Sequence, residues 1–288
     1  MENILSLQNV TKSYKNFTLD NLSFHVPRGM IFGMIGENGA GKTTTIQSIL
    51  DIIKTDSGKI EIFGKDHCKD AKEIKQKLGV VMDGLNQNPF LKCSDLDKIM
   101  KKIYLNWDSQ CFFSYLEKFK LPRDKKIKEL SKGLNVKLNF AAALSYHPQL
   151  LLLDEATSGL DPVMRDDILE ILQEFVTDEQ NSVLMSTHIT SDLDKIADYI
   201  LFLHQGKLLF VKSRDAIESY GVLHCTEDFF RALSPEDYDA FLKEEFSYKV
   251  LVPDRYAMKT HFDGLLLDRA TIEDIMLFYV KGVRTCQD

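Results

Sequence analysis

Eight residues limit what this 288-residue chain can fold into more than any other feature: Gly36-Glu37-Asn38-Gly39-Ala40-Gly41-Lys42-Thr43. They fit GxxxxGK[ST] in full, directly after the apolar run Met30-Ile31-Phe32-Gly33-Met34-Ile35. A polar helix pattern starts near Lys42 and fades by Lys54. A strand, a glycine turn and a helix start are what a phosphate cradle requires. Glycines let backbone N–H groups curl around phosphate oxygens, and the helix N-terminus adds partial positive charge. The cradle is expected to comprise Gly36, Asn38, Gly39, Ala40, Gly41 and Lys42, continuing through Thr43 and Thr44. Lys42 can reach β- and γ-phosphates, and the Thr43 hydroxyl can bind Mg²⁺.

Short apolar runs at residues 80–82, 150–153, 182–186 and 199–203 read as buried strands. They alternate with helical patterns, which implies a parallel sheet and an α/β class. Residues from about 86 to 148 read as mostly helical, an insertion with aromatics at Tyr104, Trp107, Phe112, Phe113, Tyr115 and Phe119. Mixed spacing favours a helical core for these rings over an exposed dock. No apolar run approaches the ~20 residues a membrane-spanning helix needs.

The net charge is −7, which argues against a dedicated nucleic-acid binder with a basic face. Residues 215–288 hold 8 Lys and Arg against 15 Asp and Glu, so the tail carries the whole imbalance. Five cysteines without a CxxC pair are expected to be free thiols in a reducing compartment. The first residues lack a basic, apolar leader, so a cytosolic protein is expected.

A second constellation suits phosphate chemistry. Residues 150–153 are an apolar strand running into Asp154 and Glu155. Such a strand, aimed at a phosphate site, delivers Asp154 to a Mg²⁺ shell. Glu155 then stands beside the γ-phosphate, where a carboxylate can orient and deprotonate water. His188 follows another strand and joins the catalytic candidates with Glu155 and Lys42. The other six histidines show no metal-ligand spacing.

These residues carry a family resemblance. The chain resembles the ATP-binding subunit of ABC transporters across residues 2–214. Leu130-Ser131-Lys132-Gly133-Leu134 is similar to the LSGGQ signature, and Ser158-Gly159-Leu160-Asp161-Pro162 to the D-loop. His188 resembles the switch histidine, and Tyr14 stands where the family stacks an aromatic on adenine. The resemblance implies a P-loop NTPase (RecA-like) core with an antiparallel β subdomain and an inserted α-helical subdomain, over residues 1–214. A small α+β accessory region follows over 215–288. It also implies that ATP and Mg²⁺ bind between two subunits, with Ser131, Gly133 and Asp161 closing on the partner's nucleotide. The second subunit is an identical chain or a paralogue, and the pair serves a transmembrane permease at the cytoplasmic face of the plasma membrane.

Three elements depart from the family pattern. Lys132 and Leu134 replace a Gly and a Gln of the signature, Ala156 replaces a Pro, and Asp83 stands where the Q-loop glutamine is found. A carboxylate can bind Mg²⁺ as an amide oxygen does. Asp83 therefore joins Thr43 and Asp154 as a metal candidate, unless Gln87 substitutes or the contact is lost. The Asn106-Trp107-Asp108 motif and residues 270–279 narrow the resemblance to the bacitracin-exporter-like branch. Two other readings stay open: a non-transport ABC ATPase acting on ribosomes or DNA, and a low-turnover nucleotide-dependent module. A single phosphate loop and the absence of basic segments count against the first. Intact Lys42, Asp154, Glu155 and His188 count against the second.

Overall fold

The computed structural model describes residues 2–82, 87–261, 264 and 266–284. They divide into two compact units, 1–208 and 209–288. The first begins with β1 (Asn3–Tyr14) and β2 (Phe17–Pro27), an antiparallel pair. Leu22, Phe24 and Val26 are buried while Ser23 and His25 face out, the period-2 pattern of a half-buried strand. β3 (Ile31–Ile35) is buried at every residue and runs into the phosphate loop. α1 (Lys42–Ile49) follows. It stops short of Lys54 because Asp51 adopts φ 54°, a left-handed turn that ends the helix. β4 (Ser57–Ile62) and β5 (Lys65–Asp66) then complete a four-stranded sheet in the order β2-β1-β4-β5.

α2 (Ala71–Lys75) leads into β6 (Leu78–Met82), and three longer helices separate it from β7 (Leu150–Asp154). These are α3 (Asp95–Ile103), α4 (Ser109–Lys118) and α5 (Lys132–Leu144). The aromatics form the core of this insertion. Phe112 is fully buried, with Trp107 at 5.2 Å and Phe113 at 5.6 Å between ring centroids. Trp107 Nε1 donates to Asp97 at 2.8 Å, so the indole keeps a partner as it is covered.

α6 (Pro162–Phe175), β8 (Ser182–Thr187), α7 (Thr190–Ile196), β9 (Tyr199–His204) and β10 (Lys207–Ser213) follow. The second sheet has the order β10-β9-β3-β8-β7-β6, with parallel pairing from β9 through to β6. Residues 150–154 are all buried, as expected for a strand covered on both faces. Register matters most for the site. Met82, Asp154 and Ser186 lie in one row, and Ile35 lies opposite Thr187. The chain therefore leaves β3, β6, β7 and β8 along the same edge, where ligands bind in open parallel sheets.

The second unit holds a five-stranded sheet. Its strands are β11 (Gly221–Cys225), β12 (Ala240–Lys243), β13 (Tyr248–Val252), β14 (Leu266–Arg269) and β15 (Val283–Arg284), in the order β14-β11-β13-β12-β15. Leu223, Val250 and Leu267 anchor its core. Four helices accompany it: α8 (Arg214–Ser219), α9 (Glu227–Ala232), α10 (Arg255–His261) and α11 (Ile272–Lys281). The acidic tail is thus a folded unit. Among the described residues, no helix is long and apolar enough to cross a membrane.

Candidate active site

Gly41 takes φ 111°, a conformation L side chains rarely adopt, and it caps the start of α1. That turn aims the first N–H groups of the helix into a cleft of ≈ 680 Å³. Tyr14, Asn38, Gly39, Gly41, Lys42, Thr43, Thr44, Glu155 and His188, all expected from the sequence, line it. Lys42 is only 5% exposed. Its Nζ donates to the Gly36 carbonyl at 2.7 Å and the Glu37 carbonyl at 3.3 Å, and lies 3.4 Å from Glu155. The cation rests on the loop's own carbonyls. An incoming phosphate replaces these neutral acceptors with charged ones, which bind an ammonium more strongly.

The two carboxylates are held differently. Asp154 is buried, and its Oδ1 accepts from the Ser186 hydroxyl at 2.6 Å. The same hydroxyl accepts from the Glu155 backbone N–H at 3.1 Å. One serine therefore fixes both acids. Its position opposite Asp154 depends on strand register, so sequence reasoning assigned Ser186 no role. Glu155 has φ 50° and reaches the cleft, where its carboxylate lies 2.6 Å from His188 Nδ1. His188 is itself half-exposed.

Behind His188, Asp192 of α7 is buried. Burial pushes its carboxyl above the usual range, opposed in part by Arg165, whose Nε lies 3.9 Å away. Arg165 also donates to the Leu160 carbonyl, so the helix after His188 is tied to the 158–162 loop. Tyr14 lines the cleft at 45% exposure, with Phe17 at 6.4 Å between ring centroids and the Lys12 ammonium 5.7 Å over its ring. Asn16, Phe17, Glu37 and Ser158 also line the cleft and were not singled out from sequence.

Six expected residues among those described do not line this cleft: Gly36, Ala40 and Asp154, and also Ser131, Asp161 and Gly133. Ser131 is exposed and caps α5, accepting from the Leu134 N–H at 3.3 Å. Asp161 caps α6 in the same way, accepting from Met164 at 3.0 Å. Gly133 is buried, and a Cβ there would lie 2.0 Å from Met164 Sδ, so any larger residue displaces that methionine side chain. Asp83 lies outside the described residues. Gln87, the alternative to it, donates to Asn139 of α5 at 2.9 Å and does not line the cleft.

A strand–loop–helix phosphate cradle beside two consecutive carboxylates at the end of a strand of the same sheet defines a P-loop nucleotide-hydrolysing protein. Comparison with known proteins narrows this. Residues 19–158 match the family model for the ABC transporter. The chain is 34% identical over 212 residues to the bacitracin transport ATP-binding protein BcrA of Bacillus licheniformis, covering 73% of this chain and 69% of that protein. It is 31% identical over 219 residues to the lantibiotic transport ATP-binding protein SrtF of Streptococcus pyogenes, covering 75% and 93%. A solved structure of an ABC transporter ATP-binding subunit matches with TM-score 0.68 at 24% identity, covering 75% of this chain and 92% of that one. The chain belongs to the ATP-binding proteins of ABC transporters.

Proposed function

We propose that this chain works as one of two ATPase subunits that sandwich two ATP molecules and drive a separate transmembrane permease from the cytoplasmic face of the membrane. One observation carries the reading: Lys42, Glu155 and His188 share a cleft, whereas Ser131 and Asp161 lie off it. Ser131 at a helix start offers a hydroxyl, N–H groups and a partial positive charge to an anion. That anion belongs to another copy's nucleotide, since the chain's own cradle already faces its own. Both halves of the site are on one chain, so a two-fold pair of identical copies completes it.

Within each half, Lys42 holds the phosphates, Glu155 accepts the proton of the attacking water, and His188 orients Glu155 and the γ-phosphate. Gly133 and Asp161 support the partner's phosphate contact. The Thr43 hydroxyl and the Asp154 carboxylate are hard oxygen donors, which suit Mg²⁺, and Asp83 is the third candidate. Bound Mg²⁺ neutralises charge on the phosphates. Phosphate release from ATP by the purified chain tests the reading; no release with ATP bound would contradict it. Tyr14 serves as the adenine platform. Tyr14→Ala removes a stacking contact worth about 1–3 kcal/mol, so ATP affinity falls roughly 5- to 150-fold by calorimetry, with turnover at saturation little changed.

The permease docks on the groove lined by Gln76, Lys77, Lys102, Ile103 and Leu105. Leu105 is 90% exposed and Ile103 54%, an apolar pair at the edge of the helical insertion, while the aromatic cluster is internal. Leu105→Asp places an unpaired charge at that contact, which costs several kcal/mol when buried. The variant is expected to keep the purified chain's ATPase rate and to lose co-sedimentation with membranes. Retained co-sedimentation puts the dock elsewhere. The names of the bacitracin and lantibiotic relatives support peptide antibiotics as the cargo class.

A further inference from the structure

At the end of α1 away from the phosphate loop, three side chains converge that the ATPase site does not use. Asp51 follows α1, and His67 and Cys68 follow β5. Cys68 Sγ lies 3.3 Å from an Asp51 carboxylate oxygen and 3.4 Å from His67 Nε2. One ligand atom from each residue lies within 4.8 Å of the other two, and among the described residues no other three His, Cys, Asp or Glu side chains meet this way. The other nitrogen of the ring is committed elsewhere: His67 Nδ1 lies 3.2 Å from the Ile60 carbonyl. Donation from Nδ1 to that oxygen leaves Nε2 as the ring's acceptor, with the sulfur beside the ring at 3.4 Å from Nε2 and 3.8 Å from Nδ1. Metal-ligating histidines are held in this way, with the second N–H on a backbone carbonyl.

The spacings fit one coordination geometry. Zinc binds thiolate sulfur at about 2.3 Å and imidazole nitrogen or carboxylate oxygen at about 2.0–2.2 Å. At a tetrahedral angle those bonds separate sulfur from either partner by about 3.5 Å. The observed 3.3 and 3.4 Å match those separations, and a rotation of the Cys68 side chain brings its sulfur to the lone-pair side of Nε2. We propose that Asp51, His67 and Cys68 bind Zn²⁺, with a water completing the tetrahedron on the exposed side of Cys68. Sulfur and nitrogen donors exclude the hard cations Mg²⁺ and Ca²⁺ from this site. Binding converts the Cys68 thiol to thiolate and releases its proton to solvent. The ion ties the end of the phosphate-loop helix to the β4–β5 strand pair, so occupancy stabilises the fold by mass action and takes no part in hydrolysis.

The test uses the full, untagged chain stripped with EDTA and titrated with Co²⁺ in excess Mg²⁺ without nucleotide. One equivalent should bind with a thiolate-to-cobalt charge-transfer band, displaced by one equivalent of Zn²⁺. Zn²⁺ should also raise the thermal midpoint. Cys68→Ser should lose the band and the thermal shift while keeping its ATPase rate. His67→Gln should lose stoichiometric binding with the thiol still present, and Cys225→Ser should change nothing. Binding without the thiolate band, or a band that survives in Cys68→Ser, overturns the assignment.

Discussion

Glu155→Gln is expected to bind ATP normally and hydrolyse it about 10²- to 10⁴-fold more slowly, the usual loss for a general base. The substitution keeps the side chain's length and volume. The amide can still meet His188 Nδ1, now 2.6 Å from the carboxylate. The backbone N–H stays on Ser186, so the turn at φ 50° keeps its anchor. What disappears is the ability to accept a proton from water. The charge pairing with Lys42 at 3.4 Å also goes, but that lysine retains both loop carbonyls. Binding and chemistry should therefore separate: nucleotide affinity near wild type, and phosphate release slowed in single-turnover measurements. Turnover at the wild-type rate would remove Glu155 from the mechanism.

Lys42→Ala should fail one step earlier, at binding. Nζ is the cation that the 36–43 loop holds in the cleft, almost fully shielded from water. Truncating one partner of a buried, hydrogen-bonded charge pair costs about 2–5 kcal/mol, so ATP affinity should fall by roughly 30- to 5000-fold. Glu155 also loses its neighbouring positive charge, which leaves two acids, Asp154 and Glu155, to repel the phosphates. ADP binding, with one phosphate fewer, should weaken less. Calorimetric titration of both nucleotides reads the difference, and equal losses for ATP and ADP would place Nζ away from the γ-phosphate.

The parts of this site legible in the sequence are those where chemistry and local backbone coincide. Residues 36–43 announce themselves because cradle, lysine and hydroxyl are contiguous. Asp154 and Glu155 are legible because a four-leucine strand leaves no other reason for two acids at its end. Ser186 was hidden: its hydroxyl bridges both acids only once β7 and β8 pair in register. Gly133 read as a phosphate contact, yet its first constraint is Met164, two elements along the chain. The convergence of Asp51 with His67 and Cys68 was invisible for the same reason. No ligand spacing connects residues that meet only where α1 ends beside β5. The length of α1 was overestimated, since the polar pattern continues past Asp51 but the left-handed turn there does not.

In the proposed pair, ATP itself holds two of these chains together, each supplying Ser131 to the other's cleft. The mass of Glu155→Gln in solution, measured by light scattering with ATP and then with ADP, tests it most directly. A 33.0 kDa monomer is expected with ADP, twice that mass with ATP, and return to the monomer in a Ser131→Arg double variant. A chain that binds ATP yet stays monomeric at every concentration contradicts it.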